Sequence, residues 1–419
     1  TARGSRSFPG VPEPHGPDHA AAADAPDWGV RARAVIPGGT STGSKRPDAL
    51  YGPGAEGPTH YTRAEGCRLT TTAGAELIDC TMALGAVAFG YADPEVSEAV
   101  IRAVRDGPVA GLAHPSEVEV AEMLCGLVPF AESVRVLKSG AEGVAAAVRI
   151  ARAHTGRSRV LGCGYFGWLD WCSDAPGVPE GTRGAFARIP FGEVPALEEA
   201  VARTAGDLAA IVIEPVVERE APPEWLRAVR ALCDSVGAVF IADEIKTGFR
   251  VATGGVVAAR GVAPDLAVFG KAMANGYPLA AVCGRREVMV AAERTWISST
   301  LAGERTALAA TAVVLGRHAR EDVCGRLAST GEAMRAAARR AIVATAATGV
   351  HLEGIAPMWF LRFDDPAREA CVLREARRAG VLLKRGPYDF PALAHDADAI
   401  AALEWALTHA LRAAEADNA

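Results

Sequence analysis

Two short apolar runs, each followed at once by a charged residue or by glycine and lysine, constrain this chain more than any other feature. The runs are AVFIA, which ends at Ala242, and LAVFG, which ends at Gly270. Both are brief, rich in β-branched and aromatic residues and bounded by polar residues or glycine, which predicts buried parallel strands. Asp243 follows the first run and Lys271 follows the second. Because ligands bind at the carboxyl ends of strands in open α/β sheets, the sequence predicts an acid and an amine at a ligand-binding edge.

This acid and this amine suit one kind of cofactor chemistry. A buried lysine loses its proton readily and attacks carbonyl groups, so Lys271 is a candidate for Schiff-base formation. A pyridinium nitrogen needs a carboxylate partner, and Asp243 is placed to provide one. Taken alone, each residue has a simpler interpretation, in which Asp243 caps a turn and Lys271 is solvated at the start of a helix.

A second candidate element is the turn Ser139-Gly140-Ala141-Glu142, which lies between an apolar strand and an alanine-rich helix. The first N–H groups of a helix lack partners within it, and Gly140 allows a phosphate group to approach the backbone closely. This turn is therefore a candidate phosphate site. Such a unit is common in α/β proteins, so its weight comes from its combination with Asp243 and Lys271.

The segments IADEIKTGFR and FGKAMANGYPLAAVCG, taken with this turn, carry a resemblance to a known family. The chain resembles class III, fold-type I pyridoxal-phosphate (PLP) enzymes, in the branch of glutamate-1-semialdehyde aminomutase and its aminotransferase relatives. The resemblance extends from IPGGTSTGSK, near residue 36, to the C-terminal LAHDADAI. It implies an α/β fold with a mostly parallel seven-stranded sheet in a large domain and a small α+β domain formed by both termini. It also implies PLP as the cofactor and a homodimer with shared active sites.

The resemblance assigns roles residue by residue. Lys271 carries the cofactor as an internal aldimine and then transfers protons, while Asp243 holds the pyridine nitrogen protonated. Tyr165 stacks on the ring in a segment where Phe166 replaces the family's histidine, and Ile245 packs on the opposite face. The other matched positions are Ser139, Gly140 and Ala141 at the phosphate, with alanine where serine or threonine is usual, Glu214 near the substrate pocket, and Thr300, which reaches the phosphate across the dimer interface or caps a helix.

Departures from the family pattern bear on the substrate. Lys45 stands near the place where the aminomutase has an arginine for a substrate carboxylate, as in relatives that act on amino sugars; the alternative is a solvated loop lysine. Near the C-terminus, the segment LLKRGPYDFPALAH, which contains Lys384 and Arg385, stands where an uncharged Ala-Pro followed by Phe-Glu is typical of the family. Trp168 is a further substrate candidate, although it and Phe166 are equally candidates for core packing.

These departures favour aminotransfer from glutamate or glutamine to an aldehyde or ketone. The expected acceptor is an oxidised amino sugar of an aminoglycoside antibiotic pathway, by resemblance. A polycationic acceptor calls for acids at the pocket mouth, and the available ones are Glu214, Glu218, Glu220 and Asp389. The alternative function is isomerisation at the same centre, by an aminomutase or an amino-sugar epimerase.

Charge and composition argue against other classes. The formal net charge of −6 argues against nucleic acid as the main partner. No apolar run approaches the ~20 residues that span a bilayer. Nine scattered cysteines without CxxC pairs argue against a metal site and favour a reducing cytoplasm. The predicted units are a flexible arm (1–26), an N-terminal segment with part of the small domain (27–113), a large PLP-binding domain (114–325) and a C-terminal small domain (326–419).

Overall fold

The computed structural model describes residues 27–416 except Ala55, and the side chain of Ala205 is likewise not described. The predicted flexible arm at residues 1–26 lies outside the described residues. The strands are β1 (Tyr61–Glu65), β2 (Arg68–Thr71), β3 (Glu76–Asp79), β4 (Ser133–Leu137), β5 (Arg159–Cys163), β6 (Phe186–Arg188), β7 (Leu208–Ile213), β8 (Val216–Val217), β9 (Arg219–Glu220), β10 (Val239–Asp243), β11 (Leu266–Phe269), β12 (Ala280–Gly284), β13 (Val350–Ile355), β14 (Met358–Phe363) and β15 (Val381–Leu382).

The helices occupy the segments between these strands and the two ends of the described chain. They are α1 (Trp28–Val35), α2 (Pro47–Tyr51), α3 (Met82–Gly85), α4 (Pro94–Arg105), α5 (Pro115–Leu127), α6 (Gly140–Thr155), α7 (Glu180–Arg183), α8 (Val194–Thr204), α9 (Pro223–Val236), α10 (Val256–Ala259), α11 (Arg286–Met289), α12 (Arg305–Arg320), α13 (Val323–Thr345), α14 (Pro366–Arg378) and α15 (Ala397–Ala416). None of the described helices is long and apolar enough to cross a membrane.

The largest sheet has seven strands in the order β4-β12-β11-β10-β7-β5-β6. The strands from β11 to β6 pair in parallel, whereas β12 is antiparallel to both β11 and β4. The predicted mostly parallel seven-stranded sheet is therefore confirmed. Strands β10 and β11, which correspond to the two apolar runs, are buried along their whole length and are direct neighbours.

The two faces of this sheet pack into separate cores. Successive side chains of a strand point to opposite faces, so in β10 Phe240 belongs to one core and Ile241 to the other. Helices α5, α9 and α12 cover the first face, and α6 covers the second. Burial on both faces explains why these strands read as continuous apolar runs rather than as alternating patterns.

A third core joins the two ends of the described chain. Strands β1, β2 and β3 form an antiparallel meander, and β15 adds to β3 in parallel. Cys67 and Ile78 from this region share a core with Trp359 of β14 and Leu407 of α15. This core agrees with a small domain built from both termini, and the domain boundaries given above stay predictions.

Candidate active site

Asp243 and Lys271 lie at the same carboxyl edge of the sheet. Asp243 is the last residue of β10 and pairs in register with Val268, three residues before Lys271. Lys271 follows β11 through Gly270 and starts a short 3-10 helix with a backbone φ of 47°. A left-handed φ is costly for a lysine, and such conformations concentrate at functional sites. The structure thus brings together the acid and the amine that the sequence singled out.

Burial acts on both groups, in opposite directions. Burial and, after it, the charge of the neighbouring Lys246 lower the pKa of Lys271 to about 8, against the opposing charges of Glu214 and Asp243. Burial, followed by the charge of Glu214, raises the pKa of Asp243 well above its usual range. Asp243 also accepts the N–H of Ile245 at 3.1 Å, so the turn-capping interpretation is correct as far as it goes. Lys271 therefore loses its proton more easily than an exposed lysine, and the carboxyl group of Asp243 needs a nearby cation to stay charged.

The helix start at Ser139 lies against this pair. Ser139 and Glu142 form a reciprocal capping box, which leaves the remaining N–H groups of the first turn of α6 without intrahelical partners. A Cβ added to Gly140 would lie 2.7 Å from Cδ1 of Ile245, so only glycine permits this approach. The candidate phosphate site is therefore adjacent to the turn that carries Asp243.

The loop after β5 closes another side of the site. The Tyr165 side chain is 71% exposed, and its backbone N–H donates to Oε2 of Glu214 at 2.8 Å. Gly167 has a φ of 95°, and a Cβ there would lie 2.5 Å from Cβ of Ala141, which fixes the loop against the start of α6. Phe166 is buried and stacks on Trp171 at 5.9 Å between ring centroids, so it is a core residue. Trp168 is 73% exposed, and core packing is excluded for it.

Sequence reasoning missed Lys246, which lies in the same cluster. Its Nζ is 2.9 Å from Oε1 of Glu214 and 4.6 Å from the ring centroid of Tyr388. Although burial disfavours its charge, Glu214 raises the pKa of Lys246 overall, so it is an ammonium at neutral pH. The available signal was its position, three residues after Asp243 in IADEIKTGFR.

The substrate candidates other than Glu214 and Trp168 occupy two settings. Lys45 lines a cavity of about 150 Å³ together with Leu84, Tyr91 and Leu382. Lys384 donates from Nζ to the carbonyl groups of Arg385 and Pro387, and Arg385 is paired with Glu369 at 3.2 Å. The charges of Lys384 and Arg385 are thus engaged within their own region.

The four acids proposed for a polycationic substrate also have partners. Glu214 pairs with Lys246, Glu218 with Arg362 at 2.6 Å, and Glu220 with Arg260. Asp389 is buried, and it accepts the Lys384 N–H at 2.9 Å. Burial raises the pKa of Asp389 well above its usual range. These acids are therefore not free charges at an open pocket mouth.

Thr300 does not cap the helix that follows it in the chain. Helix α12 begins five residues later, and its cap is Glu304, whose side chain accepts the N–H of Thr306. Thr300 instead lines a surface cavity together with residues 106–114 and Arg305. The helix-capping alternative is wrong, and the proposed reach across a dimer interface stays a prediction.

Comparison with known proteins identifies the family. The model of the class III aminotransferase family matches residues 51–169 and 186–407. The chain is 33% identical over 331 residues to glutamate-1-semialdehyde 2,1-aminomutase of Myxococcus xanthus, covering 72% of this chain and 76% of that protein. It is 34% identical over 278 residues to 3-aminobutyryl-CoA aminotransferase of Cloacimonas acidaminovorans, covering 64% and 66%.

A solved structure agrees over more of the chain. The FumI protein of Sphingopyxis sp. MTA144, solved in its PLP internal aldimine form, superposes with a TM-score of 0.89 at 27% identity, covering 94% of this chain and 96% of that one. PLP, the cofactor of this family, suits the residues present: an amine with a lowered pKa, a buried carboxyl that lacks a full counter-charge, and free N–H groups at a glycine-lined helix start. The protein belongs to the class III aminotransferase family of PLP-dependent enzymes.

Proposed function

We propose that this protein is an aminotransferase that takes nitrogen from an amino acid, with glutamate or glutamine as the expected donor, and gives it to an aldehyde or ketone. The observation that carries the proposal is the placement of Lys271 beside Asp243, next to the helix start at Gly140. PLP supplies, when bound, a ring that withdraws electrons from the substrate carbon. The residues of the chain must then hold that ring and move protons.

Each residue has a definite task in this scheme. The Lys271 amine would hold the cofactor through its carbonyl group and would accept and return the proton of the substrate carbon, for which a pKa of about 8 is suitable. Asp243 holds a proton on the ring nitrogen by its charge. Tyr165 and Ile245 would hold the ring, and the N–H groups at Gly140 and Ala141 would bind its phosphate.

Two observations favour aminotransfer over isomerisation. The loop that supplies an arginine in the resembled aminomutase supplies Lys45 here, and the C-terminal segment carries Lys384 and Arg385, which bond within their own region. The similar solved structures include a transaminase with PLP bound, at a TM-score of 0.83 and 28% identity. Isomerisation by an aminomutase or epimerase is the second candidate, supported by the similarity to glutamate-1-semialdehyde aminomutase.

The visible spectrum of the purified holoenzyme separates the two functions. Addition of glutamate or glutamine without an acceptor should bleach the yellow band, because an aminotransferase completes a half-reaction and retains the nitrogen. Retention of the colour with every common amino donor would contradict aminotransfer and support an isomerase.

An oxidised amino sugar of an aminoglycoside pathway is the narrower hypothesis for the acceptor. Its support is the segment GTSTGSK, whose Lys45 lines the cavity described above. The paired acids do not add support, because Glu214, Glu218 and Glu220 each already have a cationic partner. A comparison of turnover with an oxidised amino sugar and with an uncharged aldehyde of similar size tests this hypothesis, and equal turnover would contradict it.

We also infer that the protein is a homodimer with shared active sites and that it is located in the cytoplasm. The surface cavity beside Thr300 is bordered by Val109 and Leu112, and Leu112 is 88% exposed. Trp296, on the loop that leads to Thr300, is 89% exposed. Large exposed apolar side chains are typical of a protein interface.

A further inference from the structure

The ion pair between Lys246 and Glu214 is a buried charge pair in the wall of the active site. The two side chains are only 13% and 10% exposed, and their charged atoms are 2.9 Å apart. Lys246 lies in the turn after β10, and Glu214 follows β7, so the pair joins the ends of two neighbouring strands. A buried ion pair rarely adds stability over apolar residues, so its presence here calls for another explanation.

Each member of the pair has a second contact. The ammonium of Lys246 lies over the ring of Tyr388, which belongs to the segment that follows β15. The other carboxylate oxygen of Glu214 accepts the backbone N–H of Tyr165. The pair therefore connects the C-terminal segment with the loop that carries the ring-stacking tyrosine, and neither charge can move without breaking these contacts.

The groups that act on Lys271 by charge are Lys246, Glu214, Asp243 and Arg250. Arg250 is buried and donates to the carbonyl groups of Gly85, Val87 and Pro391, so its position is fixed. Glu214 and Asp243 favour the ammonium form of Lys271, and Lys246 opposes them. Without Lys246, the charges of Glu214 and Asp243 on the reacting amine would be opposed by Arg250 alone among these groups.

We propose that Lys246 is a positioning residue of this active site: by pairing with Glu214 it cancels a carboxylate beside Lys271 and keeps the reacting nitrogen of Lys271 free of an extra proton. The same pairing holds Glu214 in place to bind the Tyr165 backbone. This inference rests on the proposed function only in requiring that Lys271 carries the cofactor, which both aminotransfer and isomerisation need.

The test is a double-mutant cycle read from the holoenzyme's visible spectrum, since the band of the bound cofactor reports protonation of the Lys271 nitrogen. Lys246→Met should raise the pH midpoint of the spectral change by about one unit, because a cation is lost and Glu214 is left unpaired. Glu214→Gln should lower the midpoint, because a carboxylate is lost. The double variant should return close to the wild-type midpoint, as expected for residues that act as a pair.

Matched variants separate this effect from a general change of charge. Arg340 and Glu404 form an exposed pair between α13 and α15, and Arg340→Met and Glu404→Gln should leave the midpoint unchanged. Lys246→Arg should stay near the wild-type value because the charge is kept. If Lys246→Met fails to fold, the test still rests on Glu214→Gln, which should lower the midpoint, and on Lys246→Arg, which should leave it unchanged.

The proposal is overturned if Lys246→Met and Glu214→Gln leave the midpoint unchanged or move it in the same direction. Its failure is distinguishable from failure of the proposed function. Midpoints that shift as expected in a protein that no amino donor bleaches would support the role of Lys246 and contradict aminotransfer. A covalent link between protein and cofactor that borohydride reduction still traps in Lys271→Ala would overturn both.

Discussion

Lys271 and Asp243 show how one environment prepares two residues for different tasks. Burial disfavours whichever form is charged, so it lowers the pKa of the lysine and raises that of the aspartate. The lysine becomes a nucleophile near neutral pH, while the aspartate becomes ionised only when a cation is close. A protonated pyridine ring meets that second requirement, which is why the two residues are useful together.

Replacement of Lys271 by alanine should abolish turnover while PLP still binds without a covalent link. The reacting nitrogen and the base are lost together, whereas Asp243 and the N–H groups at Gly140 are kept. Measurement of turnover, with equilibrium dialysis for cofactor binding, checks both parts. Substantial turnover in this variant would overturn the assignment of Lys271.

Asp243→Asn should lower turnover by about 10² or more, because the amide cannot hold a proton on the ring nitrogen by charge. Folding should not suffer. Folding raises the pKa of Asp243, so this residue destabilises the cofactor-free protein at pH values above the usual pKa of an aspartate. Asparagine removes this destabilisation because it carries no charge. The Tm of cofactor-free Asp243→Asn at neutral pH should therefore equal or exceed that of the wild type. An unchanged rate would mean that another acid serves the ring nitrogen.

The residues that the sequence revealed are those whose role depends on local pattern. Asp243 and Lys271 each follow an apolar run, and Ser139 and Gly140 lie between a strand and a helix. These local patterns are enough to identify them as candidates. The role of Lys246 depends on Glu214, which is 32 positions earlier, and on Tyr388, which is far later in the chain. Only the folded arrangement of strands brings these three together.

At the scale of elements, the start of α6 leaves no room for an added side-chain atom at Gly140. Gly140→Ala should weaken PLP binding about tenfold, because the new Cβ would meet Ile245 at 2.7 Å and one side must shift. Titration of the cofactor-free protein with PLP measures this. The control is Gly126→Ala at the exposed face of α5, where no atom lies within 4 Å of an added Cβ.

A second variant tests the cause of that loss. Ile245→Val removes the Cδ1 atom that the added methyl group would meet, so Gly140→Ala with Ile245→Val should bind PLP more tightly than Gly140→Ala alone. Equal affinities would mean that the alanine acts through the backbone of α6 and not through Ile245.

The short α3 turn is an element that the sequence did not reveal. Met82, Ala83 and Leu84 have φ values of 42°, 51° and 59°, a left-handed run that residues with a Cβ rarely adopt. Asp79 stabilises it by accepting the N–H groups of Thr81 and Met82. Side chains of these types predict no such turn, because the conformation is imposed by tertiary packing and lies beside the cavity that Lys45 lines.

For the whole molecule, the parallel strands of the large sheet were predictable, whereas the pairings of strands that are distant in sequence were less so. Buried parallel strands identify themselves by composition, and the order of β10 beside β11 followed from their proximity in the chain. The insertion of antiparallel β12 between β11 and β4, and the addition of β15 to the N-terminal meander, join segments distant in sequence. Such long-range pairings follow from how the cores close and have no local signal.

The state of assembly is the last property of the whole molecule that the surface allows us to predict. We expect a dimer in solution, since Leu112 and Trp296 would otherwise leave large apolar side chains in water. Leu112→Glu should shift the protein toward monomer in analytical ultracentrifugation, because a charge would be buried without a partner. The control is Val343→Glu on α13, which is also an exposed apolar side chain.

Cofactor affinity decides whether the site itself is shared between subunits. If Thr300 of one subunit contributes to the phosphate site of the other, Leu112→Glu should lose PLP affinity together with dimerisation, and Thr300→Val should lose affinity while remaining dimeric. A Leu112→Glu monomer with wild-type PLP affinity would show that each subunit holds a complete site, because the residues from Ser139 to Lys271 would then suffice alone. The two variants thus separate assembly from cofactor binding, which a single variant cannot do.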